Sequence, residues 1–528
     1  MMPFLSQAVA IVGLLLAGSG SLRAWQSDAG DGTFTNPPLY ADYPDPDIIR
    51  VGDDFYFATT TFVNTPGLRL LHSRDLVNWE IVGHIVPRLD GRKEYNLEGG
   101  SAYRAGIYAP SLRYYNGTFY VAVTPVKQNT RIYYANDIRG PWKYHELDRP
   151  AFDPGMFIEA DGRGYIITSG GWDGTGTLLT LDKEFARVVS AEKAFYIKGA
   201  EGSKVVKRGE WYYLFNSIPS KLAMTVSRAK QLTGPWETKA QIDDHTGGHQ
   251  GAIVDLPDGS WYGFVMCDSG AVGRMTNISP MLWQDDWPVW GTPEAPGVVP
   301  SKARKPIQGQ PVMQPATSDD FSSPHLGLQW QWNHNPDDAR WSLSERAGFL
   351  RLRPTQAADF WLARNTLTQK GQGPWSRGDV KLDLRNLKAG MLCGFGTLGK
   401  ISANIATTRD SDNRVVLSMR VRNDGVGEEV RVQALPIDAE EIFLRTEMDF
   451  VNKRGACAFS VDGKEWRNLG GDFPLLYDWR TGTFQGEQYA IFCYTPHDGI
   501  EGYVDVDSFQ FSDQRELVAN GASYMIKH

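Results

Sequence analysis

The chain has 528 residues, of which 41% are hydrophobic and 22% charged, enough for two or three separately cored domains and unlike a disordered protein. Its formal net charge of -8, with no Lys/Arg cluster, attracts neither nucleic acid nor anionic lipid, so neither is an expected partner. Seventeen Trp, 22 Tyr, 24 Phe, 55 Gly and 30 Pro suit many short strands joined by tight turns, and the aromatic rings offer stacking surfaces.

The first feature in chain order is an apolar run from Ala8 to Ala17, followed by small residues and an Ala24 that can end a cleavage site. Residues 1–24 therefore read as a secretory signal peptide, although Met1 to Gln7 carries no Lys or Arg. The run is too short to span a bilayer, no other stretch is apolar enough to do so, and a secreted or periplasmic protein is expected.

Residues 30–300 carry an internal repeat. A short apolar strand, a turn with Gly and an aromatic-rich strand recur in Gly52-Asp53-Asp54-Phe55-Tyr56, Asn116-Gly117-Thr118-Phe119-Tyr120, Asp161-Gly162-Arg163-Gly164-Tyr165, Arg208-Gly209-Glu210-Trp211-Tyr212 and Asp258-Gly259-Ser260-Trp261-Tyr262. The turn glycines are 65, 45, 47 and 50 residues apart, the spacing of four short strands per repeat with a longer insert in the first. Second strand pairs close on Trp79, Trp142 and Trp236, which read as packing residues. The pattern predicts a five-bladed β-propeller.

From Pro293 to about Ser318 the composition turns to Pro, Gly, Gln and Ser, which reads as a linker. Strand alternation resumes in Phe349 to Arg353, Val380 to Leu384 and Val415 to Met419 without blade-like repeats. Residues 318–515 are accordingly expected to form a two-sheet antiparallel β-sandwich of jelly-roll type, with aromatics near Phe492 and Tyr494 as candidates for closing one side of a propeller pocket. The fold class expected for the chain is all-β. Four Cys occur without zinc-ligand spacing; a single disulfide among Cys393, Cys457 and Cys493 would leave one thiol over.

Seven to ten residues before four of the turn glycines lie Asp45, Asp153, Glu201 and His249, each at the start of a blade's first strand. In a propeller that strand lines the central channel, so three carboxylates and an imidazole converge near one axis. One acid at a strand start is commonly a turn former; three in register point to chemistry. Two carboxylates across a cleft are what glycosidic cleavage requires, one protonating the leaving oxygen and the other activating water or attacking carbon. A third nearby raises the acid's proton affinity by like-charge repulsion.

The stretch Tyr43-Pro44-Asp45-Pro46-Asp47-Ile48, with Gly52 to Tyr56, Thr59-Thr60-Thr61-Phe62 and Ser73 to Trp79, resembles the N-terminal signature of glycoside hydrolase family 43, and Phe321 to about Phe511 resembles the concanavalin-like sandwich of its β-xylosidases. The resemblance implies an inverting, exo-acting β-xylosidase or α-L-arabinofuranosidase acting on xylan- or arabinan-derived oligosaccharides. It makes Asp45 the general base, Glu201 the general acid and Asp153 the modulator of the acid; Phe62 and Arg274 match substrate-binding positions. His249 matches a central His that in some relatives holds calcium or water, and a hydrogen-bonded structural His is the other reading. No cofactor is required on this reading, calcium being the one candidate, and a homo-oligomer stays open. Where the family commonly has Trp-Ala-Pro-Asp, this chain has Tyr108-Ala109-Pro110-Ser111; Tyr108 keeps the ability to stack on or bond to sugar, but the second-blade Asp is missing. A fructosidase-like or galactosidase propeller and a non-catalytic carbohydrate-binding protein are the alternatives.

Overall fold

The computed structural model describes residues 25–170, 173–242, 247–422, 428–480 and 483–514. The expected signal peptide, residues 1–24, lies outside them. Five four-stranded antiparallel units follow one another, the fifth with one added short strand. Their first strands, Asp47–Val51, Ser111–Tyr115, Gly155–Ile158, Glu201–Arg208 and Gly248–Asp255, contact one another in a closed ring in which the fifth returns to the first. This is a five-bladed propeller with those strands innermost. The hairpins that follow turn on Gly52, Gly117, Gly162, Gly209 and Gly259, whose φ values of 64°, 83°, 89°, 59° and 83° are strained for any residue with a Cβ.

The stretch that reads as a linker is partly built into the propeller. Lys302–Arg304 pairs antiparallel with Thr33–Thr35, and the Lys305 ammonium is buried between the carboxylates of Asp28 and Asp75, 2.9 Å from the latter. This clamp ties the end of blade five to the N-terminal segment and blade one. One ammonium there is shared between two carboxylates, which polar composition alone does not reveal.

Two sheets form the sandwich and enclose a core that includes Trp330, Leu350, Val380, Phe395, Ile405, Leu444, Phe459, Tyr489, Ile491 and Phe509. Directly opposite on neighbouring strands, Cys393 and Cys493 form a disulfide, while Cys267 and Cys457 are buried thiols. One sandwich sheet accepts a strand from the propeller, Asn64–Thr65, which pairs with Trp332 and Asn333. The longer first repeat has the same use: Tyr95, Leu89 and Ala102 hydrogen-bond to Asn335 or His334. The two units thus share backbone hydrogen bonds on the side of the propeller that carries Phe62.

Candidate active site

Asp45 and Asp153 sit two residues ahead of the innermost strands of blades one and three, and Glu201 begins that of blade four. Both Asp residues have left-handed backbones, φ 54° and 45°, a conformation that Asp tolerates better than most residues and that clusters where function holds it. Asp45 is 3% exposed. Arg274 donates from Nη1 to its Oδ1 at 2.9 Å and from Nη2 to its Oδ2 at 3.4 Å. The Thr60 hydroxyl donates to Oδ2 at 2.6 Å and itself accepts the Ala109 N–H at 2.7 Å. Blade two therefore orients the blade-one carboxylate through one hydroxyl, and Ala109 of Tyr108-Ala109-Pro110-Ser111 supplies the donor.

The three carboxylates are electrostatically coupled. Asp153 accepts the Gly202 N–H at 2.9 Å, which joins it to the residue after Glu201. Burial and the charge of Asp45 push Asp153 up to about 6. Burial, then Asp153 and Asp45, push Glu201 up to about 8, with Arg274 pulling the other way. Of these two acids Glu201 holds its proton to the higher pH.

Aromatic walls stand beside them. Phe62 is fully buried with φ 54°, its ring 5.2 Å from that of Tyr108 and edge-on to it. The sandwich adds Phe484, 5.7 Å from Phe62 and 6.0 Å from Tyr108, and the Arg274 guanidinium lies 5.4 Å from the Phe62 ring and 5.0 Å from that of Phe484. The hydroxyls of Tyr108 and Tyr477 and Nε of Arg274 are buried without a hydrogen-bond partner. Burial raises both phenols, so they remain neutral donors, and both interact electrostatically with Arg274 and Asp45. Unsatisfied buried donors of this kind are free to meet hydroxyl groups.

The structure thus brings Asp45, Asp153, Glu201, Arg274, Phe62 and Tyr108 together. His249 lies at 5% exposure with both ring nitrogens engaged, Nδ1 3.2 Å from Ser217 Oγ and Nε2 3.3 Å from Asp268 Oδ1. A calcium ion needs six to eight oxygens, and among the described residues no group of three or more His, Cys, Asp or Glu is placed to hold a metal. Ser111, where the family commonly has Asp, is fully buried and accepts the Met156 N–H at 2.9 Å, joining blade two to blade three.

Phe492 and Tyr494 do not reach the pocket. They pack with Phe360, Trp361 and Leu392 in a cluster of the sandwich. Phe484 and Tyr477 take the place expected of them, and sequence inspection missed both because they lie outside the regular strands, where no alternation marks them. Thr60 was visible in the Thr59 to Phe62 stretch, but its bond to Asp45 depends on how blade one folds back.

The model of glycosyl hydrolases family 43 matches residues 34–288, and that of the beta xylosidase C-terminal concanavalin A-like domain matches residues 318–512. A beta-xylosidase of Formosa agariphila is 30% identical over 93% of this chain and 92% of its own length. The chain belongs to glycosyl hydrolases family 43. This family 43 enzyme is also 33% identical, over 61% of its length and 65% of the relative's, to a non-reducing end alpha-L-arabinofuranosidase of Bacteroides ovatus. Among solved structures, a bifunctional GH43-CE protein of Bacteroides eggerthii superposes with a TM-score of 0.84 at 32% identity, over 91% of this chain and 64% of that one. A family 43 enzyme engineered for endo-xylanase and exo-arabinofuranosidase activity superposes with a TM-score of 0.83 at 28% identity, over 91% and 99%. The protein is a glycoside hydrolase.

Proposed function

We propose that this enzyme removes the terminal xylose or arabinofuranose from xylan- or arabinan-derived oligosaccharides, with inversion at the anomeric carbon. The observation that carries the reading is the contrast between two carboxyl groups: Asp45 is paired with Arg274, and Glu201 is pushed up to about 8. Asp45 accepts a proton from water as the water oxygen bonds to the anomeric carbon. The bond from that carbon to the leaving oxygen breaks, and Glu201 protonates the oxygen. Asp153 keeps Glu201 protonated by like-charge repulsion and fixes Gly202 behind it. Arg274, Tyr108 and Phe62 hold the terminal sugar. Two proton transfers and one water complete the reaction, so it needs no cofactor. The apolar run from Ala8 to Ala17 supports export to the periplasm or the medium, where such oligosaccharides are met.

The test is release of 4-nitrophenol from the β-D-xylopyranoside and the α-L-arabinofuranoside by wild type, Glu201→Ala and Asp45→Ala. Turnover of either glycoside that collapses in both variants supports the reading and names the sugar; no turnover of either removes it. Proton NMR of the first-formed sugar decides stereochemistry, and a retained configuration overturns inversion.

A further inference from the structure

Three residues before Asp45, the carboxylate of Asp42 is 3% exposed and joins three parts of the molecule. Its Oδ1 accepts the backbone N–H of Arg274 at 2.8 Å, and its Oδ2 accepts the backbone N–H of Gly486, from the sandwich, at 3.2 Å. The ammonium of Lys370, another buried sandwich residue, lies 3.7 Å from Oδ2. Two glycines allow this approach. A Cβ on Gly273, φ 99°, would come within 2.4 Å of the Asp42 carboxylate, and one on Gly486 would come within 2.2 Å of the Val272 carbonyl oxygen. The Glu487 N–H donates to the Ala271 carbonyl at 2.9 Å, so the turn before Arg274 is held from both sides.

We propose that Asp42 is a positioning residue through which the sandwich, by Lys370 and Gly486, fixes the Asp45–Arg274 pair in its working geometry. A buried carboxylate is stable only when its oxygens and charge are met. Here the groups that meet it are the strand start bearing Arg274 and the second domain, while Asp42 itself lies on the loop bearing Asp45. Undocking the sandwich or removing the Asp42 charge therefore frees both partners of the pair. The sandwich contributes to turnover by this route as well as by lining the pocket. The inference rests on the roles given above to Asp45 and Arg274.

The experiment uses the full chain and compares wild type with Asp42→Asn, Lys370→Met and Lys370→Arg in turnover and thermal melting. Asp42→Asn keeps the size of the side chain and is expected to lower kcat by about 10- to 100-fold, the cost of a displacement on the order of 1 Å at a reacting group, and to lower the melting temperature as well, because it leaves Lys370 buried opposite a neutral amide. Lys370→Met is expected to follow it in direction, and Lys370→Arg to restore most of the loss. A folded Asp42→Asn with wild-type kcat overturns the proposal, as does Lys370→Arg as impaired as Lys370→Met. Should Asp42→Asn not fold, the Lys370 pair decides. Should wild type turn over neither glycoside, the functional reading fails and a crystal structure of Asp42→Asn decides this one. An Arg274–Asp45 contact longer than the present 2.9 Å supports positioning, and an unmoved contact overturns it.

Discussion

Arg274 meets both carboxylate oxygens of Asp45, and the pair is nearly closed to solvent, with side-chain exposures of 7% and 4%. The arginine comes from blade five and the aspartate from the loop before blade one, so the pair lies across the closure of the ring. Burial disfavours the guanidinium charge, and Asp45 restores it.

Removing the cation leaves Asp45 buried beside a single hydroxyl. Arg274→Met is expected to cost about 3–5 kcal/mol of stability, the usual effect of orphaning one member of a buried ion pair, and to lower kcat/KM by about 100-fold or more. Arg274→Lys is expected to recover part of the stability but little activity, because an ammonium lacks the planar fork that reaches two oxygens. Denaturant melts and steady-state kinetics check both.

The carboxyl of Glu201 predicts two pH effects of opposite use. Turnover should fall as the pH rises past about 8, where the group loses the proton it donates. Stability follows from linkage: an unfolded glutamate loses its proton near 4.5 while the folded one holds it to about 8, so the contribution is fully present below the lower value and is lost as the pH climbs to the upper one. Glu201→Gln should therefore melt with wild type at about pH 4 and above it at about pH 8. Calorimetry at the two pH values is the check.

Phe484 carries the sandwich to the pocket wall, against Phe62, Tyr108 and Arg274. Phe484→Ala is expected to lower kcat/KM about tenfold, equivalent to ~1.4 kcal/mol of lost aromatic contact. Phe492→Ala should instead destabilise by about 3–5 kcal/mol, as core truncations do, and leave kcat unchanged in the folded fraction. The reverse ranking in kinetics would return Phe492 to the site.

Gly155 lets blade three lie against blade four, since a Cβ there would come within 2.2 Å of the Ser203 carbonyl oxygen. Gly155→Ala is expected to part the two inner strands and weaken the Asp153 to Gly202 bond. With Asp153 withdrawn, less repulsion acts on Glu201, and the alkaline limb of the kcat profile should move to lower pH. A limb that stays in place would show that Asp153 does not tune Glu201.

The sequence by itself determined the propeller and the positions of Asp45, Asp153 and Glu201, and the family resemblance added Arg274. Turn glycines, alternating strands and acids at equivalent depths are local signals, and closing five repeats into a ring converts equal depth into proximity. Only the tertiary structure decided what surrounds those residues. Whether Thr60 bonds to Asp45 depends on how blade one folds back, and whether Phe484 rather than Phe492 or Tyr494 reaches the pocket and whether Lys370 meets Asp42 depend on contacts between segments hundreds of residues apart. Burial likewise comes from the whole fold, and burial more than any other cause raises Glu201 toward the range where it serves as an acid.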